Sequence, residues 1–217
     1  MFPMRPMTLG LCALMVVGSP ATAAEKSVNI TQAVKSVDVL SRGGKVRIER
    51  NPDTENMLDP DYSLTSRPCP PFCIQPMVLA PGVETIGELE MLDYLKRLGR
   101  DDSVLVIDSR DSDWPLRSGI IPGAVVIPWQ ELHPGHTDAE KIAETLMLRF
   151  GATHQGKLWN FENAKTLVLY CNGPWCGQSP TNIKQLLALG YPAHKLKWYR
   201  GGMQDWKMLG LTTVAPK

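Results

Sequence analysis

The sequence has almost no net charge to offer a partner. Its 23 lysines and arginines are balanced by 22 aspartates and glutamates, which leaves +1 with histidine neutral. Binding to nucleic acid or to an acidic membrane surface requires a basic face, so the composition argues for neither. The chain also lacks any apolar run approaching the roughly 18 residues of a membrane-spanning helix, and it has no internal repeat or low-complexity tract. Histidine is scarce, with four in 217 residues. The two that fall close together, His133 and His136, enclose a Pro-Gly pair, and a surface turn is favoured there over a metal pair. No cofactor or metal is expected. With 43% hydrophobic residues, the composition that remains is that of a soluble globular protein.

The first segment reads as an address. Arg5 precedes an apolar run from Leu9 to Val17, and Ala21-Thr22-Ala23 offers small residues for cleavage before Glu25-Lys26 opens a polar chain. This is the pattern of a secretory signal peptide over residues 1–24, cut near Ala23/Ala24. Cys12 lies inside it behind Leu11, where a lipoprotein signal needs a small residue, so removal without a lipid anchor is expected. The mature chain is then periplasmic, in an oxidising space, with no membrane association.

The chemistry gathers in Thr166 to Tyr191. Leu167-Val168-Leu169-Tyr170 is a short apolar run suited to a strand buried on both faces. It delivers Cys171 into a turn-rich loop, Asn172-Gly173-Pro174-Trp175-Cys176-Gly177-Gln178. A helix is expected next, with Ser179 as N-cap, Pro180 at its first position, Ile183, Leu186 and Leu187 facing inward, and Gly190 as its left-handed stop. A cysteine between a strand and a helix start meets free backbone N–H groups and the positive end of the helix dipole, and both favour the thiolate, the nucleophilic form. The same sulfur could equally be a buried strand end.

Residues 25–80 read as an N-terminal extension. Val37 to Leu40 and Val46 to Glu49 alternate on either side of Arg42-Gly43-Gly44-Lys45, which predicts a hairpin. Asn51 to Ser66 is polar and turn-rich and is expected to run over the surface. Arg67-Pro68-Cys69-Pro70-Pro71-Phe72-Cys73 follows, and prolines this dense exclude a helix and impose a stiff, extended path. Cys69 and Cys73 admit a disulfide, with each other or with Cys171 or Cys176; a four-thiolate metal site; or a redox or sulfur-relay pair docked over the active loop. A disulfide is favoured. Phe72 and Trp175 are expected to make an apolar contact that lays this segment partly across the Cys171 loop.

Beyond residue 80, Val83 to Ile86 is expected as a strand, Gly87 to Leu98 as a helix with Leu89, Leu92 and Leu95 inward, and Val104 to Ile107 as a buried strand ending at Asp108. Val125 to Ile127 and Trp198-Tyr199 are further strands. Ala139 to Arg149 is helical, with Ile142, Leu146 and Met147 inward, and Trp206 anchors a closing helix. Strands alternating with helices predict an α/β fold with a mainly parallel sheet and helices on both faces.

Several of these stretches, in order, carry a resemblance. Asp108-Ser109-Arg110 after a strand, Gly119-Ile120-Ile121-Pro122-Gly123-Ala124, the Cys171 loop and Gly201-Gly202-Met203-Gln204-Asp205-Trp206 together resemble the rhodanese family of sulfurtransferases, over a domain placed at 81–217. The resemblance implies sulfur transfer in two steps. A persulfide forms on Cys171 from a donor such as thiosulfate, and its outer sulfur passes to a thiophilic small molecule or a protein thiol. It also implies that loop N–H groups from Asn172 to Ser179 hold the anionic sulfur. Asp108 and Arg110 are read first as a fold-holding ion pair, with anion stabilisation by Arg110 as the alternative. The sequence departs from the family in two ways: isoleucine replaces histidine at position 120, and the loop lacks the arginine or lysine that suits an anionic donor. A Cys-x₅-Arg phosphatase loop is excluded, because Gly177 stands where arginine would be needed. Cys176 adds a second reading, a thiol–disulfide protein in which Cys176 resolves oxidised or persulfidated Cys171. A rhodanese-like binding module without turnover is the third.

Overall fold

The computed structural model describes Met1, residues 27–156 and residues 158–216. The expected signal peptide and its cleavage region lie outside the described residues. In the extension, β1 (Ser36–Ser41) and β2 (Gly44–Glu49) form the expected antiparallel hairpin. Arg42 (φ 56°) and Gly43 (φ 78°) turn it through left-handed backbone, the geometry that matches the natural twist of paired strands. The stretch expected to run wholly over the surface contains one helical turn, α1 (Pro60–Ser63), whose Tyr62 is buried.

The chain then continues through β3 (Glu84–Ile86), α2 (Glu88–Arg97), β4 (Val104–Asp108), α3 (Asp113–Ser118), β5 (Val125–Val126) and a 3₁₀ turn at Trp129–Leu132. Next come α4 (Ala139–Glu144), which runs into a π turn at Thr145–Arg149, and a small hairpin of β6 (Thr153–Gln155) and β7 (Leu158–Asn160). β8 (Thr166–Tyr170), α5 (Gln178–Ala188), a 3₁₀ turn at Ala193–Lys195, β9 (Leu196–Tyr199) and α6 (Gly202–Met208) complete it.

β3, β9, β8, β4 and β5 lie side by side in that order, every pair parallel. β8, which ends one residue before Cys171, is the central strand. Successive side chains of a strand point to opposite faces. Val168 and Tyr170 therefore join α2, α6 and the N-terminal hairpin on one side, while Leu167 and Leu169 join α4 and α5 on the other. That double burial is why the run is apolar at every position rather than at alternate ones.

The structure corrects three local expectations. Leu89 is half exposed, and Met91, Leu92 and Leu95 form the inner stripe of α2. Met147 is only partly buried because the expected single helix to Arg149 widens into the π turn after Glu144. Helix α5 starts two residues earlier than expected, after Gly177, so Ser179 sits inside its first turn with no capping role. Gly190 stops α5 as expected, at φ 89° and with its N–H donating to the Leu187 carbonyl. The β6–β7 hairpin was not anticipated, since its strands are too short to show a period.

Candidate active site

β8 ends at Tyr170, and Cys171 is the first residue beyond it, at the carboxyl edge of the sheet where open α/β folds present their chemistry. Helix α6 fixes the loop from beneath. Its Met203 N–H donates to the Cys171 carbonyl at 3.0 Å and its Gln204 N–H to the Asn172 carbonyl at 2.9 Å. This approach depends on Gly202, which sits at φ 56°: a Cβ there would lie 2.3 Å from the Cys171 carbonyl oxygen. Trp206 is fully buried behind it in the expected anchoring role.

The Cys171 sulfur is almost wholly enclosed. The Ser179 hydroxyl lies 3.1 Å from it, and the same oxygen accepts the indole N–H of Trp198 at 3.1 Å. With its lone pair taken by Trp198, the Ser179 proton is directed at sulfur. Burial pushes the Cys171 thiol up, but hydrogen bonds from the Cys176 thiol, the Ser179 hydroxyl and the backbone N–H groups of Ser179 and Gly173 outweigh it, and the thiol is held below its ordinary range. Burial pushes the Cys176 thiol up as well, and the backbone N–H groups of Asn172 and Gln178 offset only part of it. Its hydrogen bond to the Cys171 sulfur and the charge of that thiolate raise it well above the usual thiol range. The two free cysteines thus divide into one thiol held below its ordinary range and one raised above it.

A short chain of polar groups runs from Cys176 to Asp111. Cys176 Sγ lies 3.6 Å from Gln178 Oε1, and the Gln178 amide donates to Asp111. Asp111 also accepts the indole N–H of Trp129 at 2.8 Å and the Gln130 amide at 2.5 Å. None of Asp111, Trp129 and Gln130 was marked in the sequence. Their signal was weak, a polar run between two strands, and only the folded loop brings it to Gln178.

Asp108 and Arg110 form a fully buried ion pair, with N–O at 2.6 Å. Arg110 also donates to Tyr62 Oη, Ser118 Oγ and the Gly119 carbonyl. Its donors are committed to the fold, which is the first of the two roles expected. The pair still bears on the loop indirectly, because Tyr62 Oη donates to Asn172 Oδ1 at 3.1 Å.

Cys69 and Cys73 are joined to each other by a disulfide, and their segment crosses the active loop. The Phe72 and Trp175 rings meet edge to face with centroids 5.5 Å apart. Gln75 N–H donates to the Pro174 carbonyl at 2.8 Å, and the Arg200 guanidinium holds the Gln75 carbonyl at 2.8 Å. Arg67 lies across Trp175, Phe72 and Trp114, 4.7 to 5.9 Å from their centroids. Between this strap and the loop is a cavity of about 380 Å³, walled by Phe72, Trp114, Trp129, Trp175, Asp111 and Cys176. Cys176 reaches its wall and Cys171 lies behind. A larger hollow of about 880 Å³ between residues 27–32 and 50–56 holds no nucleophile or titrating cluster, so the chemistry belongs to the smaller one.

The family model of the rhodanese-like domain matches residues 91–209, more than half of the chain. The chain belongs to the rhodanese-like domain family. Among solved structures it is similar to a thiosulfate sulfurtransferase from Pseudomonas aeruginosa (18% identity, 62% of this chain and 21% of that one, TM-score 0.41). It is also similar to a protein of unknown function from Rhodopseudomonas palustris, described as a possible tyrosine phosphatase (22%, 61% and 85%, 0.44), and to an As-Sb reductase from Leishmania major (25%, 58% and 78%, 0.37). No curated protein sequence matches it. Measured against the rhodanese pattern, the loop here is walled by aromatic rings and one carboxylate. Arg67, the cation that lies over Trp175, comes from outside the matched residues.

Proposed function

We propose that this rhodanese-like protein is a sulfurtransferase that carries sulfane sulfur as a persulfide on Cys171. The observation that supports it is the set of donors converging on one sulfur just beyond the central strand, which holds the Cys171 thiol below its ordinary range while its neighbour is raised above it. In the loading step the thiolate attacks the outer sulfur of a donor. With thiosulfate a sulfur–sulfur bond forms on Cys171, and sulfite leaves with the electron pair of the broken bond. In the second step an acceptor thiolate attacks the outer sulfur and Cys171 is released as thiolate. Small sulfur compounds or a protein thiol serve as acceptor. Because Cys176 stands between the cavity and Cys171, its side chain swings aside for each transfer. The Cys69–Cys73 disulfide supports an exported protein working in an oxidising, periplasmic space.

The paired cysteines favour one further reading, a thiol–disulfide protein in which Cys176 attacks the inner sulfur of a Cys171 persulfide, closing a Cys171–Cys176 disulfide and releasing hydrosulfide. Mass spectrometry after incubation with excess thiosulfate separates the readings. The expected result is one added sulfur on the Cys171 peptide, abolished in Cys171→Ser and retained in Cys176→Ser. Loss of two hydrogens linking Cys171 to Cys176 would establish the disulfide reading instead, and no change would leave a binding module.

A further inference from the structure

The cavity over the loop is built from three tryptophans and a phenylalanine, Trp114, Trp129, Trp175 and Phe72, around the carboxylate of Asp111, and among the described residues no lysine or arginine lines it. Aromatic faces are the negative pole of the ring quadrupole and attract cations, most strongly when water is excluded. A carboxylate beside them adds a full negative charge. Among the described residues Asp111 has no cationic partner; it is held by the indole N–H of Trp129 and the amides of Gln130 and Gln178, which orient the charge without cancelling it. Arg67 does touch three of the rings, but it stands outside the cavity lining and its guanidinium donates to the Asp61 carbonyl. The one ring without that cation behind it is Trp129, which is also the ring bonded to Asp111. The cation-attracting corner is therefore Trp129 with Asp111, a few atoms from Cys176 and the sulfur behind it.

We infer that this cavity selects an organic sulfur substrate bearing a positive charge, an amine-carrying thiol or thione, and disfavours anionic ones. The inference rests on the sulfur-transfer reading for the identity of the reacting atom, but not for the existence of the cation site. A space of about 380 Å³ is suited to a small molecule of this kind.

Two measurements test it. In the first, Cys171→Ser protein, which cannot carry sulfur, is titrated with choline, with its neutral isostere 3,3-dimethylbutan-1-ol and with tetramethylammonium, while tryptophan fluorescence is followed. The expected result is a saturable change with the two cations that weakens at least about fivefold in Asp111→Asn and weakens with salt, and little response to the neutral isostere. Equal binding of the isostere, or binding indifferent to Asp111→Asn, overturns the inference. In the second, Cys171-persulfidated protein is offered cysteamine, 2-mercaptoethanol and 3-mercaptopropionate as acceptors. Dividing the rates of the parent by those of Asp111→Asn cancels each thiol's own reactivity. That quotient is expected to be at least about fivefold larger for cysteamine than for 3-mercaptopropionate at low salt, and a quotient equal for all three overturns the inference. Cation binding in protein that never accepts sulfur would leave the cavity assignment standing and remove the sulfurtransferase reading. Sulfur loading without charge preference would do the reverse.

Discussion

Ser179 is the residue on which the reactivity of this site turns. It is one hydroxyl between two groups, with Trp198 donating to its oxygen and its own proton directed at Cys171. A hydrogen bond to a charged group is worth about 1.5–3 kcal/mol. Ser179→Ala should therefore raise the Cys171 thiol. The sign follows from the parent: its thiol lies below the ordinary range, so reactive thiolate is present above that lowered pKa and is lost as pH falls through it. The pH at which iodoacetamide alkylation of Cys171 reaches half its plateau should sit below that of an ordinary thiol in the parent and move upward in Ser179→Ala. An unmoved midpoint would show that the backbone N–H groups alone hold the charge. The apolar run that ends just before it marked Cys171, but the Ser179 side chain was legible only as a helix cap. A serine before a proline fits a cap so well that its second use appears only once β9 places Trp198 beside it.

Among the elements, the strap from Arg67 to Pro76 has no counterpart in the matched family residues. It has no regular hydrogen-bonded structure, so its position depends on a few contacts: the Phe72–Trp175 ring pair, the Gln75–Pro174 hydrogen bond, the Arg200 clamp and the Arg67 guanidinium across the rings. An edge-to-face ring pair contributes about 0.5–1.5 kcal/mol. If the strap opens to admit bulky reagents, Phe72→Ala should speed modification of Cys171 by a bulky disulfide reagent by roughly 2- to 12-fold. A rate equal to the parent's would mean that reagents reach the sulfur by another path. Proline density and an aromatic between two cysteines made the strap legible in the sequence. The partners of Arg67 and Arg200 were not, because nothing local to either arginine predicts a carbonyl or a ring far away along the chain.

At the scale of the whole molecule, the N-terminal extension and the sheet share one core. Val37, Val39, Ile48 and Tyr62 are buried in the same cluster as Val106, Tyr170 and Trp206. The chain's last segment crosses back to meet them, with Thr212 N–H donating to the Glu49 carbonyl at 3.1 Å. Burying a side chain of this size contributes roughly 1.5–3 kcal/mol, so removing the extension forfeits on the order of 6–12 kcal/mol for these four alone. That rivals the whole net stability of about 5–15 kcal/mol for an ordinary domain. A chain beginning at Pro81 should therefore fail to show a cooperative thermal transition by circular dichroism. A sharp transition close to that of residues 27–217 would make the extension an appendage.

The sequence by itself determined the parallel sheet, the hairpin, the placement of Cys171 at a strand end and the strap's aromatic anchor. These are set by short-range rules: burial period, turn chemistry, the stiffness of proline, the helix-stopping geometry of Gly190. Only the tertiary structure decided which thiol is held below its ordinary range, that Asp111 and Trp129 flank the cavity, that Cys69 bonds Cys73, and that Arg110 spends its donors on Tyr62, Ser118 and Gly119. The physical reason is common to all of them. A pKa, a cavity wall or a buried ion's set of partners is the sum of groups that lie far apart in the chain and meet only when β4, β8 and β9 are laid side by side, whereas a period or a turn is written in a few neighbouring residues.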